Sequence, residues 1–307
     1  MPILGTIASS MQTSSALMFN IGGNTSTAVQ TIDFFNISTT GNATNFGNLG
    51  DPKSGGTAGS SATRSIYAGG NTAGVFSVTT GGRYFTNATS GSGLTYGTLT
   101  SARAFIGQSS NDTRLVSAGG YDGSQTVDTT DYYTISTTSN AAGWGAATSN
   151  HYNKGGGGNS TYGYFWGGWT SGSGRTANIQ YVTMATTGTV ASFGNLTTAS
   201  EAGSNGMTSS STRLLMAQGN QTQPYMYYIT MGTSGSVSLF GDVTGNVGNT
   251  NFWGTSNKTR AVFAGSGGTT SAVYFTIAST GNSTDFGNLT SARSSAGGTG
   301  TSHGGLA

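Results

Sequence analysis

The chain contains no cysteine, which excludes disulfide staples, thiolate catalysis and cysteine-ligated zinc together. Proline occurs only 3 times and no Gly-X-Y period exists, so a collagen-like structure is excluded. Charge is scarce: 7% of residues are Asp, Glu, Lys or Arg, against about 25% in an average soluble protein. The 11 basic and 9 acidic residues leave a net charge of +2, and the basic ones are scattered singly, which is not a nucleic-acid footprint. His151 and His303 are the only histidines, too few for an all-histidine metal centre. No cofactor or metal is therefore expected. No run approaches the ~18 apolar residues of a membrane-spanning helix, so no membrane insertion is expected. The opening, MPILGTIASSMQ, has neither a basic n-region nor an apolar h-region, so no secretory leader is expected. Helical periodicity is found nowhere.

Glycine is abundant, 53 of 307 residues, and aromatics make up 10%. The aromatics recur at a fixed spacing, which a disordered polar chain would not show. Six copies of aromatic-x11-aromatic-Gly run through the sequence. They begin at Phe34 and Phe46, Tyr84 and Tyr96, Tyr132 and Trp144, Tyr181 and Phe193, Tyr228 and Phe240, and Tyr274 and Phe286. The first aromatics lie 50, 48, 49, 47 and 46 residues apart. A period of 40–50 residues marks a stacked array of supersecondary units, so 1–307 is expected to form one domain, with 1–12 and 290–307 as closing or docking segments.

Each unit reads as four short strands. The first is small and poorly apolar, as at 7–11 or 104–108. The second is an apolar run ending at glycine, at 17–21, 66–68, 115–118, 164–166, 214–217 and 261–264. Such runs, without alternation, suit strands covered on both faces. The third strand carries the first aromatic among β-branched and aromatic neighbours. The fourth ends at the second aromatic and its glycine. A Ser/Thr/Gly/Asn turn of constant length joins the last two. The spacing predicts an all-β fold: a six-bladed β-propeller with four short antiparallel strands per blade. A solenoid of stacked sheets is the alternative. The segment from the glycines to the first aromatic varies from 9 residues (Gly219 to Tyr228) to 15 (Gly69 to Tyr84). One rim is thus variable, and variable loops on a rigid scaffold are where binding residues concentrate.

Gly119-Gly120, Tyr132, Trp144, and Phe286-Gly-Asn-Leu289 followed by Arg293 together resemble the kelch repeat. Tryptophan fills the second aromatic position only at 144, phenylalanine or tyrosine replacing it in the other units, and the diglycine weakens to Gln218-Gly219 and Gly265-Ser266, so the chain is kelch-like. The wording TIASTGNSTDFGNLTSAR, the Thr-Arg pairs and the terminal SHGGLA resemble kelch-like repeat proteins of tailed bacteriophages, especially marine and cyanobacterial ones. Those are usually labelled virion structural or tail-fibre-like proteins. The resemblance implies a virion location, with other virion proteins or copies of the chain as partners, and a host-surface glycan or protein as a further one.

Each candidate site has a structural alternative. Arg64, Arg114, Arg213 and Arg260 recur at the start of strand two. They read as ties between blades through main-chain carbonyls, although a ring of arginines could also bind an anion. The glycine run 155–158 lacks the following helix that a phosphate cradle requires. Asp285 stands in an Asp-box-like setting, but the other five units hold Asn45, Thr95, Gly143, Ser192 and Leu239 there. The lone glutamate, Glu201, supplies no pair of facing carboxylates. The copper oxidases of the kelch class need a cysteine-crosslinked tyrosine, which is absent. No catalytic residue is expected. The fourth unit is the irregular one. Tyr162 replaces the recurrent arginine, Tyr164 stands in the apolar run, and Trp169 follows the Gly-Gly on the variable rim, as Tyr121 does in the third unit. These four are the candidate recognition residues, with packing between blades or into the central channel as their structural alternative. The expected function is a non-enzymatic virion component: a fibre, adhesin or decoration subunit. The alternatives are a cellular kelch-like scaffold and a glycan-active propeller enzyme.

Overall fold

The computed structural model describes residues 16–72, 77–147, 149–170, 172–200, 204–217, 225–233, 235, 237–244 and 252–306. It is an all-β propeller of six blades, each with four strands, and the solenoid alternative is set aside. The expected first strand at 7–11, the pair Gln218-Gly219 and Glu201 lie outside the described residues.

The second strands follow the apolar runs closely: Leu17–Ile21, Arg64–Ala68, Arg114–Tyr121, Tyr162–Trp166, Arg213–Ala217 and Arg260–Ala264. Four of the five residues of Leu17–Ile21 are buried, as they are in Arg64–Ala68. The first strands lie slightly later than expected: Gly107–Ser110 in place of 104–108. They meet at the axis, five of them built from TAGS, GQSS, GGGG, SNGM and GGTG and the sixth from FWGTS. A Cβ on Gly156 would collide with the Gln108 carbonyl, so these two inner strands approach to main-chain distance there. In blades 4 to 6 the approach is close enough for parallel pairing: Gly156 with Asn205, and Ser204–Met207 with the strand Phe252–Ser256. Gln108 spans the centre, its Oε1 accepting from Ala58 N at 2.7 Å and its Nε2 donating to the Gly298 carbonyl at 2.7 Å.

The core is distributed as six layers, one between each pair of neighbouring blades. Between blades 2 and 3, for example, Ile66, Tyr96 and Leu99 meet Ile106, Leu115, Tyr133 and Ile135. The second aromatic of the repeat is buried in five blades, from Phe286 at 2% exposed to Phe46 at 6%. The first aromatics are only half-buried, not enclosed between sheets as their fixed spacing implied. The fully enclosed side chain is the next one along, such as Phe35, Phe85, Tyr133 or Phe275. It meets the second aromatic of the preceding blade, with ring centroids at 5.5 Å for Phe35 and Phe286 and 5.3 Å for Tyr133 and Tyr96. Alternation along the strand explains this, because successive side chains point to opposite faces.

The constant turn has a specific role. The carbonyl of a second aromatic accepts an N–H from the next blade's hairpin: Gly91 to Phe46, Gly281 to Phe240, and Gly41 to Phe286 across the ring closure. The glycine that follows each aromatic lets the hairpin carbonyl settle against it, since a Cβ on Gly47, Gly97, Gly241 or Gly287 would collide with that carbonyl. Each hairpin thereby covers part of its neighbour's outer edge, which would otherwise present unpaired main-chain groups.

The ring is closed by Gly297–Gly300, which pairs antiparallel with Leu17–Ile21 as the innermost strand of blade 1. The residues after it do not begin a second strand. They form a short 3-10 turn, Gly304–Leu306, and His303 is fully buried across the axis. The glycines Gly304 and Gly305 let the turn settle against the main chain of Ser209, Ser210 and Ser110 at the converging strand ends.

Candidate recognition surfaces

Antiparallel strands put the variable loops and the constant hairpins on opposite faces. On the hairpin face the arginines of the Thr-Arg pairs act as ties. Each stacks on the first aromatic of its own blade: Arg64 lies 4.6 Å from the Tyr84 ring centre, Arg114 4.9 Å from Tyr132, Arg213 4.5 Å from Tyr228 and Arg260 4.8 Å from Tyr274. Each also donates through Nη1 to a carbonyl of the next blade, of Ile135 (2.9 Å), Met184 (2.8 Å), Ile277 (2.7 Å) and Ser38 (3.0 Å). These guanidiniums are engaged one per cleft and do not converge as an anion site.

A second pair of arginines, in the Leu-Thr-Ser-Ala-Arg segments, had no assigned role from sequence. Arg103 and Arg293 are fully buried and ion-paired at 2.9 Å with Asp131 and Asp33. Thr100 and Thr290 hydroxyls donate to the same carboxylates, at 2.6 and 2.8 Å. A fully enclosed pair costs desolvation that only such complete hydrogen bonding offsets. These carboxylates are thereby committed to structure.

The four candidate aromatics fall into two places. Tyr121 and Trp169 are on the loop face, half-exposed, at equivalent positions of blades 3 and 4. Tyr152 lies between them, with ring centroids 5.9 Å from Tyr121 and 5.5 Å from Trp169, and Phe105 joins at 5.9 Å from Tyr152. Main-chain bonds between Tyr152 and Trp169 (2.9 and 3.0 Å) fix the patch. Phe105 was not singled out from sequence. The signal was a large ring just before a first strand, where blades 1 and 2 carry Ser295 and Gly55. It holds a left-handed φ of 56°, rare for a bulky residue. Phe105 N bonds the Gly55 carbonyl, and its own carbonyl accepts from Asn153 N at 2.9 Å. A run of main-chain bonds from Ser295 through Gly55 and Phe105 to Asn153 thus carries the patch. Below it lie buried His151 and Lys154. Burial, with the Lys154 charge second, pushes the imidazole down to about 4, and burial pushes the Lys154 ammonium down to about 8. Lys154 Nζ donates to the Ser149 carbonyl (3.3 Å) and Gln180 Oε1 (3.4 Å).

Tyr162 and Tyr164 lie on the other face, in the cleft between blades 4 and 5. Tyr164 is buried, and its hydroxyl accepts from Gly232 N at 3.0 Å. Desolvation raises its pKa. A cavity of about 120 Å³ opens here, lined by Tyr162, Tyr164, Tyr181, Phe193, Ser192, Gly232 and Thr233. The structure therefore separates the four candidates into a loop-face pair and a cleft pair. Of the variable loops, 73–76, 171 and 218–224 lie outside the described residues.

No protein-family model matches the chain, and no curated protein matches it.

Proposed function

We propose that this protein is a non-enzymatic virion component of a tailed bacteriophage, a fibre, adhesin or decoration subunit that presents a rigid propeller to a host surface or to neighbouring virion proteins. The observation that carries the binding role is the patch of Phe105, Tyr121, Tyr152 and Trp169 on the loop face. The repeat does not demand these rings, since blades 1 and 2 hold Asn24 and Asn71 at the positions of Tyr121 and Trp169. Half-exposed aromatics held by main-chain bonds give contact area with little ordering left to lose on binding. Such rings stack on sugars or anchor a protein partner. The virion context comes from the kelch-like phage resemblance of the repeat wording. The test has two arms. Purified particles should contain the chain at fixed stoichiometry, and the double variant Trp169→Ser with Tyr121→Ser should lower adsorption at least tenfold with an unchanged melting temperature. Absence from particles together with capture of one cellular protein would replace this reading by an intracellular scaffold. Turnover of host polysaccharide would replace it by an enzyme.

A further inference from the structure

We infer that the cleft between blades 4 and 5 is a binding site for a guanidinium group, supplied by an arginine side chain of another protein. The chain itself shows what the cleft is shaped for. In four of the six blades the first residue of strand two is an arginine whose guanidinium covers a tyrosine ring and reaches a carbonyl of the next blade. Blade 4 has the tyrosine, Tyr181, but Tyr162 in place of the arginine. The Tyr162 ring meets Tyr181 edge-on, at 72° and 6.0 Å between centroids. It does not cover the Tyr181 face as a planar cation does, and no cation lies over Tyr181 among the described residues.

The next blade keeps its half of the arrangement. Met231 N bonds the Thr212 carbonyl (2.7 Å), as Ile135, Met184 and Ile277 bond Thr113, Thr161 and Thr259 (2.9, 2.8 and 2.8 Å). Met231 therefore stands where the arginine-accepting carbonyls stand, and its neighbours Gly232 and Thr233 line the cavity. Packing supplies the space. Phe193 is the one second aromatic left half-exposed; blade 5 offers it the aliphatic Ile229, and Phe193 lacks the larger indole with which Trp144 fills its cleft against the aliphatic Val182. The result is a hole of about 120 Å³ walled by Tyr162, Tyr164, Tyr181 and Phe193, a little below the ~150 Å³ that holds a benzene ring. Aromatic faces attract a cation, and a planar, weakly hydrated guanidinium fits between rings better than a strongly hydrated ammonium. Blade 1 also lacks the arginine, but there Leu17 packs into the core between blades 1 and 2.

This site is on the face opposite Trp169, so its test is independent of the adhesion proposal. The full-length protein is titrated with arginine methyl ester, and with lysine methyl ester at equal ionic strength, by NMR or calorimetry. One saturable site is expected, at least fivefold tighter for the arginine ester. Tyr162→Arg supplies the missing group in cis and should raise the melting temperature and weaken binding at least tenfold. Should that variant not fold, Tyr181→Leu, which removes the platform, should weaken binding similarly. Arg213→Ala empties the equivalent slot over Tyr228 and should raise the stoichiometry to two. The proposal is overturned if the two esters bind alike, if Tyr162→Arg or Tyr181→Leu binds as the parent does, or if the parent shows no saturable site while Arg213→Ala shows one. In that last case Tyr162 itself fills the slot.

Discussion

Gln108 reaches from blade 3 to both blade 2 and blade 1 through its side-chain amide. Its oxygen takes the Ala58 N–H and its nitrogen serves the Gly298 carbonyl, with all three residues buried. Leucine has a similar size but can do neither. A buried donor or acceptor without a partner costs about 1–3 kcal/mol, so Gln108→Leu should lower the unfolding free energy by roughly 3 kcal/mol or more. Urea titration measures this, and a loss under about 1 kcal/mol would mean that water takes over both bonds.

At the scale of the strand and hairpin, the glycine after the second aromatic explains why the turn never changes length. The hairpin must place one N–H and one carbonyl on its neighbour, so an added residue would displace both. Gly97→Ala puts a methyl against the Ser139 carbonyl, which belongs to the adjacent blade. Gly143, immediately before Trp144, has nothing within 4 Å of a Cβ. Overpacking against a fixed main-chain atom costs about 1–3 kcal/mol, whereas exposed substitutions stay within about 0.5 kcal/mol. Gly97→Ala should therefore lower the melting temperature and Gly143→Ala leave it nearly unchanged. Equal effects would show that the hairpins are not interlocked.

At the scale of the whole molecule, closure depends on Gly297–Gly300 and on the turn that follows. His303 Nε2 contacts the Ser60 carbonyl at 3.0 Å, while Nδ1 accepts from Gly305 N at 3.1 Å. That arrangement requires the neutral ring with its proton on Nε2. Burial, the larger cause, pushes the imidazole from 6.5 down to about 4. The folded state thus disfavours the charged form, and stability is full above pH 6.5 and falls as the unfolded chain takes up protons below it. From pH 6.5 to 5 the loss is on the order of 2 kcal/mol for His303, and His151, shifted likewise, adds to it. His303→Gln should reduce the slope of stability against pH by about half over that window. An unchanged slope would place the titration elsewhere. Removing 294–307 should abolish the cooperative transition, and the separate 294–307 peptide should restore it. A truncated chain with the parent melting temperature would show that the ring closes without this strand.

The repeat, the blade number, the strand order and the second strands were legible in the sequence, because fixed aromatic spacing and glycine-bounded apolar runs are local signals with one geometric reading. The arginine ties were legible for the same reason: an arginine that recurs at one place in four of the six blades meets the same need in each. Tertiary structure alone decided which member of each aromatic neighbourhood is enclosed, since alternation says that Phe34 and Phe35 face oppositely but not which cleft is tighter. It decided the buried pairs of Arg103 with Asp131 and Arg293 with Asp33, whose partners stand 28 and 260 positions apart and carry no spacing signal. It also decided that Tyr121 joins Trp169 on one face while Tyr162 and Tyr164 open a cavity on the other. A sequence names the residues that depart from its repeat. Only the packing of neighbouring blades fixes what space each departure leaves.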